Sequence, residues 1–468
     1  MHIKSRTIFS WLLVGILAYA SFTFGARLRV SEAAAIPTGV PTVQANALLN
    51  FTPECSPVTI SKPSLSPSEN RDLVASVARL VRAWYVDPIT PEKETAMARG
   101  TVKGMLDSLS DPDSHFLDPG EKKLLDDASS SRFHGIGAIL SLRSENNNGL
   151  ATARIVVISA MPGSPAATAG LKPGDSITHV DGKWVISYNP FTTPEITKAT
   201  KAWLNREITD TEFKKISNDA LDKRKNGITI ADSLELLSAK DKGEISMTVD
   251  RPGENTPVEF KKVALGLTRV DPVSTKVLGH GIQYVRISQF NTNAATQFSA
   301  RLNAALKSGA KPKAIVIDLR DNPGGQIDAA KKISSKLTGG GLFATIQEKG
   351  RKTAIRTEKT HGLGLPVVVL VNGGTANVAE LVASDLKDNA GASIVGTKTF
   401  GDGLAQTPLT LKDGSEAVLT TGKLLTSKGY DFNGKGLNPS TLVSDDKRHG
   451  DAQLSEAEKI LVKKLGRA

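Results

Sequence analysis

The residues best placed to do chemistry fall in VVVLVNGGTANVAELVASDLKDN, from Val367 to Asn389. An apolar run closes at Asn372, Gly373 and Gly374 make a turn, and a helical pattern follows. A strand that delivers its end to a turn at the head of a helix is a common seat for a nucleophile in acyl-transfer chemistry. This turn supplies Thr375, Ala376, Asn377 and Val378, with neither Ser nor Cys. The layout is that of a reactive turn, but the reacting group is absent from its tip.

Other chemistries have less support. The single cysteine, Cys55 in FTPECSP, permits no disulfide within the chain and reads as a spare thiol. His and Cys do not cluster at metal-ligand spacing, and there is no phosphate-cradling G-x-x-x-x-G-K, so no cofactor or metal is expected. The net charge of +11 is spread among acids rather than gathered in a stripe, which argues against nucleic acid as a partner. An anionic membrane surface or an acidic polymer suits that charge better.

The elements that must position the turn can be read from periodicity. From Asp271 onward strands and helices alternate: GIQYVRISQF, then AATQFSARLNAALKSG, then KAIVIDLRDNPGG, then QIDAAKKISSKL, and then the opening stretch. Such alternation predicts a layered α/β domain. Phe133 to about Leu265 instead shows short apolar runs broken by Gly and Pro. Upstream, RDLVASVARLVRAWYVD places Leu73, Val77, Leu80, Val81 and Trp84 on one helical face and predicts a packing unit.

The predicted organisation is a signal peptide or membrane anchor over 1–28, a linker over 29–69 and a helical region over 70–132. A strand-rich domain follows over 133–265, with a charged insert near 184–226, then the α/β core over 266–448 and a C-terminal helix over 449–468. MHIKSR followed by TIFSWLLVGILAYASFTFGA is the basis for an exported protein, periplasmic or in the cell envelope, with membrane association through this segment.

The strand-rich domain resembles a PDZ domain, chiefly in GSPAATAGLKPGDSITHVDGK. The resemblance implies that Gly135, Ile136, Gly137 and Ala138 form the loop that receives a peptide's terminal carboxylate. The peptide would then add as a strand along the sheet edge. The insert reads equally as a lid, a docking surface or a solvated elaboration.

Over nearly everything from Asn70 to the C-terminus the chain resembles the carboxyl-terminal processing peptidases, or tail-specific proteases. The resemblance rests on YVDP, KGMLDSLSDPDSHFLDP, GIGA, SPAATAGLKPGD, IDLRDNPGG, VVLVNGG, AELVASDLKDN, VGTKTFGDG and GKGLNP. It implies a multidomain α+β protein with an N-terminal helical region, a PDZ domain and a crotonase-like α/β peptidase core. Family members cut proteins near their C-termini with a serine whose proton passes to an uncharged lysine.

The resemblance assigns roles residue by residue. GTANVAE in place of G-S-A-S-A-S-E puts Asn377 at the nucleophile position, and TFGDG in place of T-F-G-K-G puts Asp402 at the lysine position. It places Gly324, Gly325 and the Val378 N–H at the oxyanion site, Gln406 as the residue orienting position 402, and Asp388 at the end of the following helix. The substitutions imply a pseudoprotease whose PDZ domain binds protein C-terminal peptides or a partner peptidase. The alternative is a working endopeptidase with relocated groups, such as Thr375 with Asp402 as base; Ser384, Lys387 and Lys398 lie nearby but off the family positions.

Overall fold

The computed structural model describes residues 67–109, 111, 113–147, 150–188, 190–239, 243–309, 311–444 and 450–466. The N-terminal apolar run, the linker up to Ser66 and Cys55 lie outside the described residues. Among the described residues, no helix is long and apolar enough to cross a membrane. The chain divides into two compact units, Met1–Asp87 and Pro88–Ala468.

The first unit contains helix α1 (Pro67–Trp84). Leu73, Val77, Leu80 and Trp84, the face expected to pack, are more than half exposed.

The second unit opens with α2 (Pro91–Asp107), β1 (His115–Leu117) and α3 (Pro119–Ser129). Each helix start is written locally. Thr90 Oγ1 accepts from Lys93 N, and Asp118 forms a reciprocal capping box with Glu121 ahead of Pro119.

A short strand β2 (Arg132–Phe133) leads to β3 (Ala138–Asn147), β4 (Leu150–Ala160), helix α4 (Pro165–Ala169), β5 (Ser176–Val180) and β6 (Lys183–Trp184). Helices α5 (Pro194–Leu204), α6 (Asp210–Lys225) and α7 (Ile230–Ser238) follow, so the charged insert is helical. Strands β7 (Glu244–Asp250) and β8 (Val258–Ala264) complete a sheet ordered β3-β4-β5-β7-β8, with β6 on β5. In β7, Ile245, Met247 and Val249 alternate with polar residues and join Ile155, Val157, Ile177 and Val180 in one core. The KPGD turn is fixed by Asp175, which accepts from Lys172 N and receives Arg251 on both oxygens. Strand β9 (Thr268–Arg269) pairs with β2.

The core domain contains β10 (Val273–Val277), β11 (Ile282–Ile287), α8 (Ala294–Lys307), β12 (Ala314–Asp318), α9 (Ile327–Thr338), β13 (Leu342–Glu348), β14 (Arg351–Arg356), β15 (Val367–Val371), α10 (Val378–Ala390) and β16 (Ser393–Gly396). It ends with β17 (Leu404–Thr410), β18 (Glu416–Thr426), β19 (Thr441–Leu442) and α11 (Ala452–Leu465). One sheet runs β10-β11-β12-β15-β16-β19, parallel from β11 onward.

Strands β12 and β15 are buried at every position because helices cover both faces. Ile315, Ile317, Val367 and Val369 face α8, α9 and α10, while Val316, Val368 and Leu370 pack with Ala457 and Leu461 of α11. A second sheet, β1-β18-β13-β14 with β17 on β18, brings Leu404 beside Asn377 in the turn after β15.

Candidate active site

The turn after β15 is held by its own polar residues. Asn372 Oδ1 accepts from Asp321 N at 2.9 Å and Gly374 N at 3.0 Å, and its Nδ2 donates to Asp321 Oδ1. Thr375 is fully buried: its hydroxyl donates to Leu319 O at 2.8 Å and accepts from Asn372 N at 3.0 Å. Its proton is committed to a backbone carbonyl and its oxygen to a backbone amide, so this hydroxyl is a structural tie. The helical Ser384 hydroxyl points to Asp388.

Asn377 occupies the tip with φ 52° and ψ −123°, a strained conformation for a residue with a Cβ. Its side chain is spent on both ends. Oδ1 accepts from Val378 N at 3.0 Å, while Nδ2 donates to Leu404 O at 3.2 Å and lies 3.5 Å from Asp402 O. The Val378 N–H is therefore taken by the side chain one residue before it. Across the site, Gly324 and Gly325 adopt φ 100° and 127°. A Cβ on Gly324 would sit 2.9 Å from Asn377 Cβ, and one on Gly325 would sit 2.3 Å from Phe290 O. The Gly324 N–H is bonded to Asn322 Oδ1. The glycine turn thus closes directly against Asn377.

Three carboxyl groups surround this point. Glu380, fully buried, receives Asn377 N, Asp402 N, Gly401 N and the Thr399 hydroxyl. Burial pushes Glu380 up to about 7, with Asp402 adding repulsion, against the pull of those donors. Burial also raises Asp402, opposed by bonds from Leu404 N and Asn377 and by the Arg143 charge. Asp113 is raised to about 6 by burial first and Asp402 next. Arg143, on β3, lies 4.4 Å from the centre of the Phe400 ring and lowers both aspartates. Position 402 thus carries an acid hemmed in by other acids.

Of the remaining predicted residues, Gln406 does not orient position 402 through a hydrogen bond: its Nε2 donates to Asp113 O at 3.1 Å, beside a register shift of β17 between Ala405 and Gln406. Asp388 is bonded to Ser384, Ser427 and Lys428, which ties α10 to the end of β18. Lys387 and Lys398 are exposed. Glu380, Asp113 and Arg143 were not singled out in the sequence. Only Glu380 left a local signal, the Asn-x-x-Glu spacing of a capping box.

At the PDZ loop, Gly135 and Gly137 have φ near 70° and the Ile136 side chain is buried. Ile136 N donates to Leu237 O at 2.9 Å, and Gly137 N points at His134 O at 3.4 Å. Among the described residues β3, which Ala138 begins, pairs only with β4, leaving its other edge open.

Comparisons with known proteins identify the two domains that carry these sites. Residues 281–443 match the model of peptidase family S41, and residues 156–191 match a PDZ domain. Carboxy-terminal processing protease CtpA of Bacillus subtilis is 28% identical over 403 residues, covering 86% of this chain and 74% of that protein. CtpB of the same organism is 28% identical over 415 residues, covering 86% and 75%. The solved photosystem II D1 C-terminal processing protease shares the fold with a TM-score of 0.58 at 23% identity, over 85% of this chain and 98% of that one. The chain thus carries a PDZ domain and a peptidase family S41 core, and along most of its length it is similar to the carboxyl-terminal processing peptidases.

Proposed function

We propose that this protein is a non-catalytic member of its family, a pseudoprotease that binds protein C-termini through its PDZ domain. The bound end belongs either to a client or to a partner peptidase. The observation that carries this reading is the Asn377 side chain, which lacks a nucleophile and occupies the Val378 N–H at the expected oxyanion position. A carboxamide nitrogen is delocalised into its carbonyl and both ends of this one are hydrogen-bonded.

Asp402 works in the same direction. It puts an acid, raised by burial, where the family has the uncharged lysine that takes the nucleophile's proton. A cooperating catalytic set that loses even one member can drop by about 10⁶ in rate. The relocated-nucleophile reading has little support, because the Thr375 hydroxyl is buried and doubly bonded. The basic and apolar N-terminus supports a place in the cell envelope.

The test is incubation of the purified chain with a loosely folded substrate carrying a C-terminal tag. No cleavage is expected. Cleavage at defined bonds that disappears in Thr375→Val would overturn the reading.

A further inference from the structure

The peptide-binding loop of the PDZ domain is already occupied from within. Carboxylate capture by such a loop needs convergent backbone N–H groups, here those of Ile136, Gly137 and Ala138. The Ile136 N–H is spent on the carbonyl of Leu237, in the last turn of α7. The approach is close enough that a Cβ on Gly135 would lie 1.9 Å from that oxygen. A helix C-terminus carries partial negative charge on its free carbonyls. The end of α7 therefore presents to the loop what a peptide carboxylate would present.

The position of α7 is set by the insert before it. Lys223 of α6 sits 4.9 Å from the Trp184 ring and 5.0 Å from the Tyr188 ring, and donates to the Tyr188 hydroxyl. Five residues on, the chain is stapled to the same segment: Ile228 N donates to Trp184 O, and Ile186 N donates to Ile228 O. Gly227 packs so tightly that a Cβ would meet Ile186 Cγ1 at 2.7 Å. Thr229 then caps α7, and Ser238 Oγ closes its last turn on Leu234 O.

We infer that the C-terminal carbonyl of α7 is a built-in competitor for the peptide carboxylate, held in the loop by the Lys223 clasp, so that peptide uptake requires the last turn of α7 to withdraw. This regulation rests on the proposal that the PDZ domain binds protein C-termini.

Two variants of the full chain address it. Ser238→Pro removes the hydroxyl tie and disfavours helical backbone at Leu237, turning its carbonyl away. Lys223→Met opens the exposed clasp and carries the test if the proline variant fails to fold. Binding is measured to decapeptides with four randomised C-terminal residues, as free acids and as carboxamides, alongside hydrogen exchange at Ile136 N–H. The expected result is slow exchange in the parent, exchange at least tenfold faster in Ser238→Pro, and free-acid binding at least tenfold tighter there. Lys223→Met should fall between, and carboxamide binding should not change. Equal free-acid affinity in all three proteins with Ile136 still protected would overturn the competitor but leave carboxylate capture standing. Faster exchange at Ile136 with no preference for free acids would overturn carboxylate capture itself, and the competitor with it.

Discussion

The core cleft and the PDZ loop are both glycine-shaped turns that aim backbone N–H groups at a point, and both are filled by the protein itself. They are filled by different means. At the cleft, the Val378 N–H is taken by a side chain, Asn377, whose other end is fixed to Leu404 O. At the loop, the Ile136 N–H is taken by a backbone carbonyl at the end of a nine-residue helix. A side-chain block persists for as long as the residue does, whereas a helix-end block can be lifted by movement. The difference teaches which of the two sites still has a working range of states.

The comparison breaks first at Glu380, which organises the cleft through four donors. Glu380→Ala strands Asn377 N, Gly401 N, Asp402 N and the Thr399 hydroxyl in a buried setting and should cost about 3–5 kcal/mol in urea unfolding. A loss below about 1 kcal/mol would mean the cleft is not held this way, and the PDZ unit should keep its peptide affinity in either case.

Next in size is pH. A rise of the Glu380 pKa from 4.5 to about 7 corresponds to about 3 kcal/mol. The folded state binds the extra proton, so this stability is fully present below about 4.5 and is lost as pH rises through about 7. Asp113, raised to about 6, adds a smaller term of the same sign. Denaturation midpoints should fall between pH 5 and 8, and Glu380→Gln should flatten that slope. A slope unchanged in Glu380→Gln would assign the titration elsewhere.

Smaller still are the glycines. Gly324→Ala meets Asn377 Cβ at φ 100° and should cost about 1–3 kcal/mol, more than Gly163→Ala, whose added Cβ meets nothing within 4 Å at φ 77°. Equal thermal shifts would remove the steric half of the argument. The smallest effect belongs to Asp388→Asn, which loosens an ion pair with the exposed Lys428 and should cost under about 1 kcal/mol without altering the cleft.

Much of the cleft was legible in the sequence, because its frame is local. The apolar runs of β12 and β15, the double glycine at 324–325 and the interval between Asn377 and Asp402 are read along the chain. What was not legible comes from residues brought together over long separations. Asp113 and Arg143 reach Asp402 from elements far upstream, and each is unremarkable in its own segment. The partner of Gln406 depends on pairing that shifts by one residue in β17, which periodicity does not reveal. At the PDZ loop the glycines announced a turn, but the partner of the Ile136 N–H is Leu237, far along the chain on α7.

The two-residue ladder of β2 with β9 has a topological consequence. Arg132 and Arg269 are direct partners, so the whole PDZ unit leaves and rejoins the chain at one spot. Partners in such a ladder stand about 5 Å apart, a gap that two or three residues span. The unit is thus a cassette: cutting it out and joining its flanks with a short glycine bridge should leave the α/β core's strand order untouched.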